Sequence, residues 1–213
     1  MPKGLTPNDY VSVVSVNELT NGRLAARGLC EHMVANDKTK AGFITFDSNF
    51  YATNQRDTSA QQLIDEDFPS IKIVAQTSFK KESEVFDKTL NLLAEYPEIE
   101  GIYTSWDGPA QQVIKALNTI DRLDIIVGTV DLDFSSALVI AEDGPIKCVS
   151  AQQPFEQGRA IGLAAAQSIL YKDVPSFIAI EPIMVNKENL LHSWRTVFKE
   201  EPPIELRERL SGK

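Results

Sequence analysis

Gly101-Ile-Tyr-Thr-Ser-Trp-Asp-Gly-Pro-Ala-Gln-Gln-Val-Ile-Lys-Ala-Leu117 passes from one periodicity to another across a single turn. Glu100–Tyr103 reads as a short strand that enters the turn, and Trp106-Asp-Gly-Pro carries the punctuation of a strand-to-helix junction. Beyond it the apolar residues take helical spacing, with Ala110, Val113 and Leu117 at i, i+3 and i+7. Ile125–Thr129 follows as the next β-rich run. Strand, helix, strand in that order is a βαβ unit, and its crossover is right-handed for steric reasons.

The same alternation extends in both directions. Further strands are expected at Val11–Ser15, Gly42–Phe46, Ile71–Ala75, Ile146–Ser150 and Phe177–Ile180. Most are nearly continuous in apolar character, as in strands covered on both faces. Between them, Phe86, Leu90 and Leu93 fall at i, i+4, i+7, and Ile161, Ala165 and Ile169 at i, i+4, i+8. Each set aims one stripe at a sheet. The fold class is therefore α/β, a doubly wound parallel sheet. There is no internal repeat and no low-complexity tract. The closing segment from Lys199 to Arg209 is highly charged and is expected to be a solvated extension with at most one short helix.

Composition narrows the partners. The chain has 213 residues, is 43% hydrophobic and carries a formal net charge of -9, enough apolar material for one core with an appendage. Its acidity opposes nucleic acid and anionic membrane surfaces and favours a neutral or cationic soluble partner. Cys30 and Cys148 both sit among apolar neighbours and read as buried thiols, with a disulfide as the alternative. His32 and His192 have no ligand spacing, so no metal or cofactor is expected. Met1-Pro-Lys-Gly-Leu-Thr-Pro shows no signal-peptide pattern, and no apolar run approaches the ~18–20 residues of a membrane span.

In an open parallel sheet the ligand crevice lies outside the carboxyl ends of the strands. Asn17 follows the first strand, and Asn54, Gln55, Arg56 and Asp57 lie beyond the second. Trp106 and Asp107 come after Glu100–Tyr103, Asp131 after Ile125–Thr129, and Gln152 and Gln153 after Ile146–Ser150. Five strand ends thus deliver carboxylates, amides, a guanidinium and an indole to one edge. Such groups suit a polyhydroxylated ligand: carboxylates and amides bind hydroxyl pairs, Arg supplies a rigid donor fork, and an indole covers a sugar's C–H face. Plainer roles compete. Asp107 and Asp131 are each placed to cap a helix, Trp106 to pack in the core, and Arg56 to pair with Asp57 or Asp65 at the surface. Gln152 is harder to explain in that way, because Gln is a poor cap.

These segments resemble a known group. Asp9-Tyr-Val-Ser-Val-Val-Ser-Val-Asn with Asn21-Gly-Arg-Leu-Ala-Ala is similar to the first interlobe crossing and following helix of ribose-type sugar-binding proteins. Thr53-Asn-Gln-Arg-Asp resembles their arginine-bearing helix start, and Gly101-Ile-Tyr-Thr-Ser-Trp-Asp-Gly-Pro-Ala a segment of one branch. Ile126-Val-Gly-Thr-Val-Asp-Leu, Ser150-Ala-Gln-Gln-Pro-Phe-Glu-Gln-Gly and Asn189-Leu-Leu-His-Ser-Trp with Pro202-Pro203 continue the match in order. The resemblance implies a type I periplasmic-binding-protein fold, mainly its C-terminal lobe. Ligand contacts are implied from Asn54 or Arg56, Trp106, Asp107, Asp131 and Gln152. Asn17 stands where these proteins often have Asp, and Asn54 where ribose binders place Arg.

The resemblance further implies that residues 17–151 form the C-terminal lobe, with 1–16 and 152–190 belonging to an N-terminal lobe this chain lacks and 191–213 forming a tail. The stripe Ile161, Ala165, Ile169 would then have no sheet beneath it and would invite self-association. The implied function is binding of a small polar solute, a sugar, for an ABC transporter whose membrane permease is the partner, in the periplasm or outside the cell. Weak affinity is expected of one lobe. The effector domain of a lactose-repressor-like regulator is the alternative. No catalytic residue is assigned: G-x-S-x-G, P-loop, H-E-x-x-H and G-x-G-x-x-G are all absent, and Ser78-Phe-Lys-Lys has no companion motif.

Overall fold

The computed structural model describes Thr6 and residues 9–212. Met1–Leu5 and Pro7, read above for a leader, lie outside the described residues. The elements run in the expected alternation: β1 (Val13–Val16), α1 (Glu18–Ala35), β2 (Lys40–Phe46), α2 (Tyr51–Asp67), β3 (Lys72–Phe79), α3 (Val85–Glu95), β4 (Gly101–Thr104) and α4 (Asp107–Thr119). They continue as β5 (Ile126–Val130), α5 (Phe134–Ala141), β6 (Ile146–Ala151), α6 (Pro154–Ile169), β7 (Phe177–Ile180), β8 (Ile183–Asn186), α7 (Leu190–Phe198) and α8 (Ile204–Ser211).

Six strands form one sheet in the order β3-β2-β4-β5-β6-β8, parallel except for β8, which runs antiparallel to β6. The order reverses between β2 and β4, which makes a topological switch point at their carboxyl ends. Side chains alternate across the sheet as the pleat requires. Phe43 and Tyr103 stack at 4.7 Å on the side of α1 and α2, with Leu29, Met33, Leu63 and Ile64. Ile44 and Ile102 face the other side, with Val113 and Leu117 of α4, Ile140 of α5 and Trp194 of α7. The α4 stripe is buried as expected, whereas α3 buries Val85, Thr89, Leu92 and Leu93, a rotated version of the stripe expected there. Cys30 and Cys148 are buried free thiols, both pushed up to about 12 chiefly by burial.

Three features depart from the sequence reading. β8 was not expected, and it places residues 183–186 in the six-stranded sheet, inside the span 152–190 assigned elsewhere. The segment is short, follows Pro182, and gains its strand partner only through β6, 35 residues or so back in the chain. The tail is not a solvated extension. Trp194 and Val197 of α7 and Leu206 of α8 are buried in the main core, and Arg209 pairs at 3.1 Å with Glu142, which caps the C-terminus of α5. Finally, β1 and β7 pair in parallel with each other as a separate two-stranded sheet. α6 lies against this sheet and buries only Ala164. Ile161 and Ile169 of the predicted stripe are 54% and 76% exposed, and with Val11 and Val14 they line an apolar groove of about 550 Å³.

Candidate functional site

The site begins where α1 crosses α2. Asn17 caps α1 by accepting from the Thr20 N–H at 3.2 Å, which sends the next residue, Glu18, inward. Gly22 permits the crossing, because a Cβ there would overlap the Arg56 carbonyl oxygen of α2. Glu18 and Arg56 therefore meet away from water, with 7% and 6% exposure. Arg56 donates to Glu18 through Nε and again through Nη2 at 3.2 Å. Glu18 Oε2 also accepts from Asn21 Nδ2 at 3.3 Å, and Asn21 Oδ1 accepts from Ser150 Oγ at 2.6 Å. A buried ion pair survives only with such support. The surface pairing of Arg56 with Asp57 or Asp65 is thus not what forms.

The network continues to the ends of β5 and β6. Arg56 Nη1 stands 3.8 Å from Asp131 Oδ2, an ionic approach without a hydrogen bond. Gln152 Nε2 donates to Asp131 Oδ1 at 2.6 Å, and Gln157 Nε2 to Gln152 Oε1 at 3.4 Å. Asp131 does not cap α5. Asp133 does, accepting from the Ser135 and Ser136 amides in a capping box, which leaves Asp131 turned towards the crevice with φ at 76°. That left-handed conformation is uncommon for a residue other than Gly and marks a position held by its surroundings. Burial raises the Asp131 carboxyl, opposed by Arg56 and the Gln152 hydrogen bond. Asp131, Gln152, Pro154 and Gln157 border a hollow of about 210 Å³, closed on one side by Val197 and Phe198. This lies below the ~300–1,000 Å³ of drug-sized sites and suits a small solute.

At the switch point itself, Asp57 accepts from Tyr103 Oη at 3.2 Å and Ser105 Oγ at 3.0 Å. Burial pushes its carboxyl up to about 6 despite those donors. Asp107 also rises to about 6, first from burial and then from the like charges of Asp131 and Asp133.

Two expected contacts are placed differently. Asn54 is exposed on the first turn of α2, outside the network that Arg56 joins. Trp106 packs edge-on to Phe46 at 5.2 Å and against Phe79 at 5.3 Å, and its indole N–H donates to Glu82 Oε1 at 2.8 Å. The N–H is therefore engaged and not available to a ligand. The sequence reading missed Glu18, Asn21 and Tyr103. A carboxylate one residue past a strand exit, with Asn three residues on, is the signal that was present for the first two.

A doubly wound lobe with a polar crevice at its switch point, linked to a second small sheet, is the architecture of a type I periplasmic binding protein. The family model described as periplasmic binding protein domain matches residues 5–172, and the chain belongs to that family. A solute binding protein of an ABC transporter from Actinobacillus succinogenes, with bound D-allose, superposes with a TM-score of 0.75 at 24% identity, covering 84% of this chain and 63% of that one. A carbohydrate transporter solute binding protein from Agrobacterium radiobacter, in complex with D-arabinose, gives 0.75 at 22%, covering 85% and 63%. A periplasmic ribose ABC transporter structure from Conexibacter woesei gives 0.77 at 21%, covering 86% and 62%. The chain thus spans less than two thirds of the length of these structures. No curated protein matches it.

Proposed function

We propose that this chain contributes a solute-binding lobe to a sugar-type ABC transporter, acting by binding and not by catalysis. The observation that carries the reading is the meeting of Arg56, Asp131 and Gln152 at the strand ends, where Asp131 and Gln152 border a hollow of about 210 Å³ and Arg56 stands 3.8 Å behind Asp131. The sugars bound by structures of the same fold support a polyhydroxylated solute, and the family suggests the periplasm or the cell exterior for intact relatives. A membrane permease would be the partner of the assembled receptor.

We further infer that β1, β7 and α6, residues up to 16 and from 152 to 182, are the foundation of a second lobe, and that residues 17–151 with β8, α7 and α8 form the first. Binding then couples to hinge closure at the crossings that follow Val16, Ala151 and Ile180. One lobe offers half of the hydrogen bonds a closed site would supply, so this chain should bind sugars with millimolar affinity. The test is a calorimetric or NMR titration with D-allose, D-arabinose and D-ribose. Weak binding that is lost in Asp131→Ala and Gln152→Ala supports the reading. Affinity unchanged in both variants would exclude this hollow as the site.

A further inference from the structure

We propose that Lys199 is a positioning residue for the strand-end hollow, a latch that holds α6 against α7 and so sets how far the hollow's walls stand apart. Its effect on affinity rests on the binding reading above, whereas the latch itself does not. The walls come from different units. Pro154 and Gln157, at the start of α6, form one, and Val197 and Phe198, at the end of α7, form the other. Any movement of the β1–β7–α6 layer relative to the six-stranded unit therefore reshapes the hollow.

Lys199 joins those walls directly. Its Nζ lies 3.2 Å from Glu156 Oε1 and 5.4 Å from the centre of the Phe155 ring, so the ammonium meets a carboxylate and an aromatic face on the first turn of α6. Among the described residues this is the one ion pair between α6 and the six-stranded unit. The pivot lies at the crossings. The Asn17 amide donates to the Ile180 carbonyl at 2.9 Å, Asn17 Nδ2 to Glu181 Oε1 at 2.9 Å, and Gln153 Nε2 to the Glu181 carbonyl at 2.7 Å.

The backbone of Lys199 points to the same role. It ends α7 in the left-handed region, with φ 56° and ψ 29°, a conformation that Gly takes at helix ends without steric cost. Its amide donates to the Arg195 carbonyl at 2.9 Å, a bond that Gly would make equally well. What Gly could not supply is the side chain that reaches α6. An unfavourable conformation whose side chain bridges two units marks a role for that side chain.

Glu156 is arranged to let go. Its Oε2 accepts from Arg159 Nε at 2.7 Å within α6, so the carboxylate keeps a cation when α6 swings away. Lys199 is already 37% exposed at its side chain and stays solvated. Opening strands no buried charge, in contrast to the Glu18–Arg56 pair, so the latch biases an equilibrium and does not lock it.

The test combines amide hydrogen exchange with an NMR titration by D-allose on the full chain and on Lys199→Gly, Lys199→Arg and Glu156→Gln. Lys199→Gly and Glu156→Gln should speed exchange at Gln157 to Ala160 and weaken D-allose by roughly two- to fivefold, the population change an exposed ion pair commands. Lys199→Arg should behave as the parent. The double variant Lys199→Gly with Glu156→Gln should loosen α6 no further than either change alone. Lys199→Gly should unfold in urea no earlier than the parent, because Gly suits the left-handed turn. Unchanged exchange in both latch variants would overturn the proposal, as would Lys199→Arg loosening α6 as much as Lys199→Gly. Lys199→Gly unfolding well before the parent would also overturn it, since the residue would then hold the fold. A loosened α6 with D-allose affinity unchanged would overturn the link to the hollow and leave the binding reading standing. Absence of saturable shifts at Asp131 and Gln152 in the parent would overturn the binding reading, and exchange in α6 would still decide the latch.

Discussion

Arg56 and Glu18 hold full charges at positions almost closed to water, so each is tolerable only because of the other. Arg56→Ala would strand the Glu18 carboxylate, and equilibrium unfolding in urea should show a loss of about 3–5 kcal/mol. Replacing both, as Arg56→Met with Glu18→Leu, should recover most of that loss while removing the crevice donor. A double variant as unstable as the single one would show that packing, not charge, sets the cost. Asp57 gives a prediction of opposite character. Its carboxyl is raised to about 6 by burial, from an unfolded value near 3.8. The folded state therefore binds the proton more tightly. Its stabilising effect is complete below the unfolded value and is lost as pH rises through about 6. Asp57→Asn keeps an acceptor for Tyr103 and Ser105 and removes the burial penalty, so it should be more stable than the parent above that value, by on the order of 1–2 kcal/mol. Melting curves across pH check it, and a variant that loses stability at every pH would contradict it.

At the scale of elements, the crossing of α1 and α2 positions the whole polar network, and Gly22 is the residue that lets them approach. Gly22→Ala would push the Arg56 backbone away, and since backbone cannot yield as a flexible side chain does, the cost should be about 1–3 kcal/mol. Urea midpoints measure it, and a neutral substitution would mean that the helices are not in contact there. This scale also shows what could be read in advance. The run Ala110, Val113, Leu117 announced a buried helix face because periodicity is local. β8 stayed hidden because four residues after a proline carry too little period, and their partner β6 is distant in sequence. The strand-end rule put Arg56, Asp131 and Gln152 on one edge, where the structure has them as neighbours, since it needs only the order of strands. It could not reveal that Glu18 neutralises Arg56 across 38 positions, nor that Glu82 occupies the Trp106 N–H. Those facts depend on how helices cross and turns fold, which short-range pattern does not encode.

For the whole molecule, the contrast is between a packed six-stranded unit and a β1–β7–α6 layer that buries little. Ile161, Leu163 and Ile169 are each more than half exposed, and a patch of this kind is unusual on a free surface. We propose that a second lobe covers it. Without that lobe the chain should self-associate with rising concentration in multi-angle light scattering, and Ile161→Lys with Ile169→Lys should make it monomeric. A parent chain that stays monomeric throughout would count against an adhesive role for this face.

The central claim is that the strand-end hollow is where solute binds, and an amide-resolved NMR titration of the chain with D-allose reads it most directly. The account predicts saturable shifts at Arg56, Asp107, Asp131 and Gln152, with the α6 groove unaffected. Saturable shifts confined to Val11, Val14, Ile161 and Ile169, with the hollow silent, would contradict it.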